Sequence, residues 1–183
     1  MRVIETPLSG VVLIEPQVFG DDRGFLVETF SFARYRDAGI DSPNIQDNFV
    51  RSCRGTLRGL HYQEPDGQGK LVQVLRGEIF DVCVDVRRGS PTFAKWLGFT
   101  LSEDDVRQLW IPVGFAHGFC VTSETADVYY KMSGPRVAEH ERVIAWNDPA
   151  IGITWPIAQP LLSPRDACAS KLTEAVVLPK YEK

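Results

Sequence analysis

The segment IFDVCVDV, residues 79–86, decides the fold class of this chain. Its apolar side chains alternate with Asp81, Cys83 and Asp85, so apolar and polar side chains point to opposite faces. This period of two is typical of a β-strand, whereas an amphipathic helix repeats about every 3.6 residues. We therefore expect a strand at 79–86 with two chemically different faces.

Short segments of the same character recur along the chain, separated by Gly, Pro, Ser or acidic clusters. A polar turn at 20–24 is expected to join the first two. One short helix is expected over 31–39 with Ser31 as N-cap, and the tail after Trp155 should form a loop and a short helix. Many short strands without long helices favour a closed or sandwiched antiparallel sheet, such as a jelly-roll barrel, in one domain over 1–183. The other expected strands cover 11–15, 25–30, 45–51, 57–63, 71–75, 93–101, 108–111, 119–122 and 128–132.

The composition narrows the function classes. The chain has 183 residues, 44% of them hydrophobic, and a formal net charge of −4, so nothing indicates general attraction to nucleic acid or an anionic membrane. No apolar run approaches the ~20 residues of a membrane helix, and residues 1–7 lack the apolar region of a signal peptide. We therefore expect a cytoplasmic protein. Reduced structural thiols are expected, because no Cys-x-x-Cys pair occurs among Cys53, Cys83, Cys120 and Cys168.

A histidine and two cations lie on neighbouring expected strands. Arg58 and His61 belong to the segment LRGLHYQ (57–63), and Lys70 precedes the next strand. Histidine accepts a proton near neutral pH because its unperturbed pKa is about 6.5. Strict alternation, however, would send Arg58 and His61 to opposite faces. A bulge at Gly59 would bring them together, as would a neighbouring subunit that supplies one of the pair, and the sequence leaves both open.

The histidine pattern does not favour a metal site. Jelly-roll barrels often hold a metal with two histidines two positions apart on one strand, but the position two beyond His61 is Gln63, a poor ligand. His117 and His140 lie far along the chain and complete only a weak ligand set. We therefore expect no bound metal.

Several motifs, taken together, carry a family resemblance. The longer ones are VFGDDRGF (18–25), QDN (46–48), LRGLHYQ (57–63), GKLV (69–72) and GFAHGF (114–119). Shorter ones lie at 89–93, 146–149, 155–156 and 162–166. In order and spacing they resemble the dTDP-4-dehydrorhamnose 3,5-epimerase family over nearly the whole chain.

The resemblance implies an all-β, cupin-type antiparallel jelly-roll barrel with a few short helices, a homodimer, and no metal or organic cofactor. It also implies inversion of C3 and C5 in a dTDP-4-keto-6-deoxyhexose. A proton next to a ketone is acidic because the carbanion delocalises into an enolate. Such an enzyme needs a base, a group that stabilises the enolate oxygen, and an acid on the opposite face of the sugar.

The resemblance also implies the catalytic residues. His61 matches the family's base, and Asp166 matches the carboxylate that fixes its tautomer and stabilises the imidazolium. Asp81, on the polar face of the first strand described, is the rival partner. Lys70 matches the lysine that stabilises the enolate, and Tyr130 matches the proton donor.

The same resemblance implies the residues that bind the nucleotide sugar. Arg23 and Arg58 match arginines that grip the diphosphate, a role suited to the guanidinium fork. Further matches are expected to contact the nucleotide sugar, some of them across the dimer interface: Glu28, Gln46, Asp47, Asn48, His117, Glu141 and Arg165.

Two details refine these matches. Tyr129 points to the opposite strand face from Tyr130 and should pack elsewhere. At 133–136, where relatives usually carry an aromatic pair with one ring stacked on thymine, this chain has SGPR. Arg136 offers a guanidinium plane in place of the ring, since guanidinium groups stack on aromatic faces.

Three alternatives stay open at this point. The first is an epimerase that inverts only C3 or only C5 of a dTDP-4-keto-deoxysugar, which would need the same base and acid. The second is a metal-dependent cupin enzyme, which Gln63 disfavours. The third is a non-catalytic sugar-nucleotide binding module, which gives no reason for the catalytic residue types to occur together.

Overall fold

The computed structural model describes residues 1–40 and 46–182. Its strands are β1 (Arg2–Glu5), β2 (Val12–Glu15), β3 (Val18–Asp21), β4 (Gly24–Val27), β5 (Gln46–Cys53), β6 (Leu57–Gln63), β7 (Lys70–Arg76), β8 (Glu78–Asp85), β9 (Trp96–Ser102), β10 (Gln108–Ile111), β11 (Phe115–Val121), β12 (Thr125–Met132) and β13 (Glu141–Val143). The α-helices are α1 (Phe32–Asp37) and α2 (Pro164–Ala167).

Two antiparallel sheets form the barrel. Sheet 1 has the strand order β1-β2-β10-β7-β12-β5, and sheet 2 has the order β13-β6-β11-β8-β9. Their facing sides share one apolar core to which strands of both sheets contribute. This architecture confirms the expected all-β jelly-roll barrel with a few short helices.

Strand β8 keeps the period of two but has both faces buried. Cys83 packs between the two sheets with Phe119. On the other face, Val82 and Val84 pack beneath the C-terminal part of the chain, where Leu172 covers them. Full burial of a side chain of this size contributes about 1.5–3 kcal/mol. The polar face of β8 therefore points into the barrel, because the C-terminal segment covers the apolar one.

Some of the predicted strand boundaries match the structure and others are shifted. Strands β6 and β10 begin and end as predicted. Strand β11 begins at Phe115, four residues before the predicted start. The prediction missed these residues because Ala116 and Gly118 are small residues with low strand propensity. Residue 45 of the predicted strand 45–51 lies outside the described residues.

The prediction for the polar turn was wrong in one respect. The turn does not join the strands predicted at 11–15 and 25–30. It joins β3, which was not predicted, to β4, which ends at Val27. Within the described residues these two strands pair only with each other, and they leave apolar side chains exposed. The exposed side chains are Val18, Phe19, Phe25 and Leu26.

The helix predicted over 31–39 is confirmed as α1, with Ser31 at the N-cap position. Its buried Tyr35 lies against the outer face of sheet 1 with Trp110. The Tyr35 hydroxyl donates to Gln108 Oε1 at 2.6 Å. In the part of the chain that the structure describes, no helix is long and apolar enough to cross a membrane.

Candidate active site

A cavity of about 270 Å³ opens between the two sheets. Sheet 1 supplies its wall through β5, β7 and β12, and sheet 2 supplies the opposite wall through β6, β11 and β13. The predicted site residues that line it are Asn48, Arg58, His61, Lys70, His117, Tyr130 and Glu141.

A β-bulge brings Arg58 and His61 into the same cavity. In the pairing of β6 with β11, His61 lies opposite His117 while Arg58 lies opposite Phe119, so β6 contains one extra residue in this interval. Gly59 has a φ of +145°, and an added Cβ there would lie 2.5 Å from Gly118 Cα. Only glycine fits this backbone without strain. Of the two explanations that the sequence left open, the bulge is the one observed.

His61 forms a close pair with Asp166. The distance from His61 Nε2 to Asp166 Oδ1 is 2.6 Å, across 105 residues of sequence. Asp166 is buried on α2, where its N–H donates to the N-cap Ser163 Oγ. Burial alone would raise the pKa of the Asp166 carboxyl, but the hydrogen bond and charge of His61 and the Ser163 hydrogen bond lower it overall. Asp166 is therefore a carboxylate at neutral pH that favours the proton on Nε2 and leaves Nδ1 free to accept another.

Asp81, the rival partner, pairs with a different histidine. The distance from Asp81 Oδ1 to His117 Nε2 is 2.5 Å, and both side chains are buried. His117 and His61 are direct neighbours across β11 and β6. Each histidine thus has its own carboxylate, and the predicted pairing of His61 with Asp166 is confirmed.

Lys70 is buried in the opposite wall. Its Nζ donates to the His61 carbonyl oxygen at 3.4 Å. Burial lowers the Lys70 pKa to about 8, against the opposing influence of the Asp81 and Glu141 charges. The side chain therefore stays mainly an ammonium at pH 7 and places a positive charge in the cavity.

Tyr130 faces the cavity from β12, and Tyr129 does not. Burial raises the pKa of Tyr130, so its hydroxyl is protonated at neutral pH and able to donate a proton. Tyr129 lies on the outer face of sheet 1, where its hydroxyl accepts a hydrogen bond from Lys131 Nζ at 3.3 Å. The prediction that Tyr129 packs elsewhere is confirmed.

An ionic cluster lies at the cavity mouth. Arg136 donates to both oxygens of Glu141 at 2.8 and 2.9 Å, and Arg165 from α2 donates to Glu141 Oε2 at 2.6 Å. The hydrogen bonds from Arg136 and Arg165 lower the Glu141 pKa to about 2, although burial opposes them. Two guanidinium groups around one carboxylate leave a net positive charge at the entrance.

Two glutamines that sequence reasoning missed hold the segment 134–137 at this mouth. Gln63 accepts a hydrogen bond from the Val137 N–H at 2.9 Å, and Gln68 donates to the Gly134 and Pro135 carbonyls at 3.0 and 2.5 Å. Gln63, at the position where a two-histidine metal motif would have its second histidine, thus binds the backbone of the segment 134–137. Among residues 1–40 and 46–182, no three His, Cys, Asp or Glu side chains are placed to hold a metal ion together.

The comparison with known families covers nearly the whole chain. The profile of the family described as dTDP-4-dehydrorhamnose 3,5-epimerase matches residues 5–174. The chain belongs to this family. It is therefore an enzyme of the isomerase class, as the sequence predicted.

Three relatives show the range of similarity. The chain is 50% identical to dTDP-4-dehydrorhamnose 3,5-epimerase of Shigella flexneri, covering 96% of this chain and 98% of the relative. It is 52% identical to the protein of the same name from Neisseria gonorrhoeae over 96% of this chain, but it spans only 54% of that relative's length. It is 38% identical to dTDP-4-dehydrorhamnose 3-epimerase of Streptomyces niveus, over 99% of this chain and 90% of the relative.

A solved structure agrees over the whole fold. The dTDP-6-deoxy-D-glucose-3,5-epimerase of Legionella pneumophila, in complex with dTDP-4-keto-L-rhamnose, superposes with a TM-score of 0.97 at 48% identity. The match covers 100% of this chain and 99% of the Legionella chain. The two chains therefore share one fold over their whole length.

Other predicted binding residues differ in how close they lie to the cavity. Arg58 donates to Ser52 Oγ at 3.1 Å and Asn48 donates to Met132 Sδ at 2.7 Å, both at the cavity wall. Gln46 lies beside Asn48, because its Nε2 donates to Asn48 Oδ1 at 3.1 Å; its Oε1 accepts the Arg136 N–H at 2.9 Å.

Three predicted binding residues do not reach the cavity of their own chain. Arg23 lies at the tip of the β3–β4 hairpin, donates to Asp21 and has a side chain that is 90% exposed. Glu28 pairs with Arg34 of α1. Asp47 accepts from Lys131 at 3.0 Å on the outer face of sheet 1.

Proposed function

We propose that this cavity inverts C3 and C5 of dTDP-4-dehydro-6-deoxy-D-glucose, giving dTDP-4-dehydro-L-rhamnose for dTDP-L-rhamnose or related deoxysugar biosynthesis. One observation carries the proposal. The paired base His61 and the acid Tyr130 belong to opposite sheets and face the same cavity. Epimerisation removes a proton from one face of a carbon and returns one to the other, so it needs groups on opposite walls.

The proton moves in two steps at each centre. His61 takes the proton next to the C4 ketone through Nδ1, and Asp166, bonded to Nε2, stabilises the resulting imidazolium. The electron pair of the broken C–H bond passes into the ketone as an enolate, whose oxygen the Lys70 ammonium stabilises. Tyr130 then delivers a proton to the same carbon from the opposite face. The ketone itself makes the proton acidic, so the proposal includes no metal or organic cofactor.

The charge at the mouth suits a nucleotide diphosphate. We assign Arg58 to the diphosphate, and Asn48, Gln46, His117, Glu141 and Arg165 to the nucleotide sugar. The guanidinium fork forms paired hydrogen bonds to phosphate oxygens. This local positive charge gives a protein of net charge −4 a way to bind an anion.

The base-binding side chain differs from the aromatic ring expected in relatives. Arg136 lines the cavity, and its guanidinium is held against Glu141 by the two hydrogen bonds described above. A guanidinium fixed in this way keeps both of its flat faces free of that carboxylate. We assign Arg136 to the thymine base, as a stacking plane in place of the missing ring.

We also propose that the protein acts as a homodimer in which the β3–β4 hairpin completes the partner's site. The hairpin exposes Phe19, Phe25 and Leu26 to 56%, 63% and 66%, which is costly for a free surface of this kind. Arg23 at its tip is paired with Asp21 but is 90% exposed, so another molecule can reach it. We expect Arg23 and Glu28 to contact the substrate in the neighbouring cavity, and Asp47 to lie near the interface.

The dimer is testable by mixing two inactive variants. Arg23→Ala and His61→Ala are each expected to lose most of their activity. If the hairpin acts across the dimer, a mixed dimer contains one cavity with both native residues. A 1:1 mixture allowed to exchange subunits should then regain about a quarter of wild-type activity, measured as epimerised product. No recovery in a mixture shown by mass spectrometry to contain mixed dimers would mean that Arg23 serves its own chain.

The reaction is testable by isotope exchange. Purified, EDTA-treated protein is incubated with dTDP-4-keto-6-deoxyglucose in heavy water, and deuterium at each ring carbon is followed by NMR. We expect deuterium at both C3 and C5 together with the rhamnose-type ketone, because each reprotonation takes a solvent-exchanged proton. Loss of activity with EDTA would instead favour a metal-dependent cupin enzyme. Absence of exchange at every carbon would contradict the proposed reaction.

A second candidate is an epimerase that inverts only one of the two centres. The similarity to the Streptomyces niveus 3-epimerase favours it, because a family member with that name covers the same length. Deuterium at a single centre in the same experiment would establish this alternative. In either case we propose that residues 1–183 act as one epimerase domain, since α2 near the end of the chain supplies Asp166. The cytoplasmic location stays a prediction.

A further inference from the structure

Asp81 is a fully buried carboxylate behind the cavity wall. Its Oδ1 accepts from His117 Nε2, and its side chain has no exposed surface. Its Oδ2 is also buried, and no donor in the part of the chain that the structure describes is within hydrogen-bond range of it. A buried carboxylate is destabilising unless a nearby positive charge balances it. The unpaired oxygen therefore points to an electrostatic role beyond the His117 hydrogen bond.

Lys70 is a buried cation whose positive charge can balance the negative charge of Asp81. Burial lowers its pKa, and the charge of Asp81 is the first of two influences that raise it, ahead of Glu141. Its own hydrogen bond, to the neutral His61 carbonyl oxygen, is long at 3.4 Å and does not balance its charge. Among the residues that the structure describes, no carboxylate lies within salt-bridge range of Lys70, and Asp81 has His117 but no lysine or arginine within that range.

The other charged groups around Lys70 already have partners. Glu141 of β13 is bonded to two arginines, and Asp166 of α2 is bonded to His61. Among the facing residues of β6, β11 and β12, Arg58, His117 and Tyr130 carry no negative charge at neutral pH. Asp81 of β8 is therefore the carboxylate whose charge acts on Lys70 without an arginine to offset it.

We propose that Asp81 is a positioning residue that fixes the ring of His117 through Oδ1 and keeps the Lys70 side chain protonated through its negative charge. This deepens the proposed function, on which it rests, because only an ammonium stabilises the enolate oxygen. Asp81 does not touch the substrate in this scheme. It acts through two cavity residues, His117 and Lys70.

The direct test is an NMR titration of the lysine side chains without substrate. The Lys70 signal is identified by its absence from Lys70→Met. In the wild type it should titrate near pH 8. In Asp81→Asn, which keeps an acceptor for His117 but removes the charge, it should titrate at least about one pH unit lower. An unchanged Lys70 titration in folded Asp81→Asn overturns the proposal, whatever reaction the enzyme catalyses.

A kinetic readout tests the consequence for turnover. Since activity requires the ammonium, kcat/KM should fall as pH rises through the Lys70 pKa. In Asp81→Asn this fall should begin about one pH unit earlier, so the loss of activity relative to wild type should be about sixfold larger at pH 8.5 than at pH 6.5. The Kd for dTDP should change less than about threefold. A uniform loss at all pH values would indicate a merely structural role and would contradict the proposal.

Asp85→Asn is the matched control. Asp85 is equally buried four residues along β8, but it accepts from Arg87, Ser90 and Thr92 away from the cavity. The Asp85→Asn substitution should lower the stability of the protein without changing the pH at which Lys70 titrates. If Asp81→Asn does not fold, the wild type decides: the proposal requires an ammonium at Lys70 at pH 7 and a proton on His117 Nε2 in 15N spectra. A neutral Lys70, or a His117 protonated only on Nδ1, would overturn it.

Discussion

Replacing His61 with alanine is expected to lower kcat by at least about 10³-fold, because general-base catalysis contributes on the order of 10²–10⁴-fold and no other group takes over here. His117 is the nearest imidazole across the strands, but its Nε2 is bonded to Asp81 and the ring is buried. The Kd for dTDP should change less than about threefold, since the arginines at the mouth are untouched. Turnover and dTDP binding by calorimetry, measured on the same sample, check this.

His140→Asn is the control for the His61 variant. His140 lies outside the cavity lining, 3.1 Å from the exposed Asp66, and has no part in the proposed reaction. Its loss should leave kcat within about twofold, as for surface substitutions away from the site. Unchanged turnover in His61→Ala would contradict the role of His61 as the base and would show that another group removes the proton. Loss of dTDP binding together with turnover would instead show that the variant disturbs the cavity as a whole.

The sequence predicted the strands whose side-chain pattern can be recognised within a few neighbouring residues. The alternation in β8 and the compact segment of β6 were enough to place both strands. The alternation did not reveal which face of β8 meets the core, because the C-terminal segment that covers the apolar face lies far along the chain. Strand β3 was missed because Gly20 and Asp21 read as turn residues, although they pair with β4.

The site was predictable from family motifs and only partly from physical pattern. His61 and Asp166 are 105 residues apart in the sequence, and at that separation the residue spacing does not indicate which side chains are in contact. The resemblance supplied this pairing, and the geometry then separated it from the Asp81 alternative. Gln63 was read only as a poor metal ligand. Its role in binding the backbone of 134–137 was missed, because no local pattern places that segment beside it.

Gly59→Ala is expected to lower the free energy of unfolding by at least about 3 kcal/mol, the range in which backbone clashes and strained φ values combine. The added Cβ would lie 2.5 Å from Gly118 Cα and 3.1 Å from the His117 carbonyl oxygen. Both are backbone atoms of the paired strand, so no side-chain rotation relieves the contact. Denaturant unfolding at fixed protein concentration measures the loss.

Gly24→Ala separates steric clash from backbone strain in the Gly59 variant. Gly24 has a φ of +129°, close to that of Gly59, but an added Cβ there meets no atom within 4 Å. Its expected cost is therefore only the strain of about 1–2 kcal/mol. If β6 instead relieves the clash by pairing with β11 without the bulge, Arg58 and His61 point to opposite faces, because the side-chain period of a strand is two. Gly59→Ala should then lose turnover even in the fraction that stays folded. Equal stability and full turnover in Gly59→Ala would show that the cavity does not depend on this bulge.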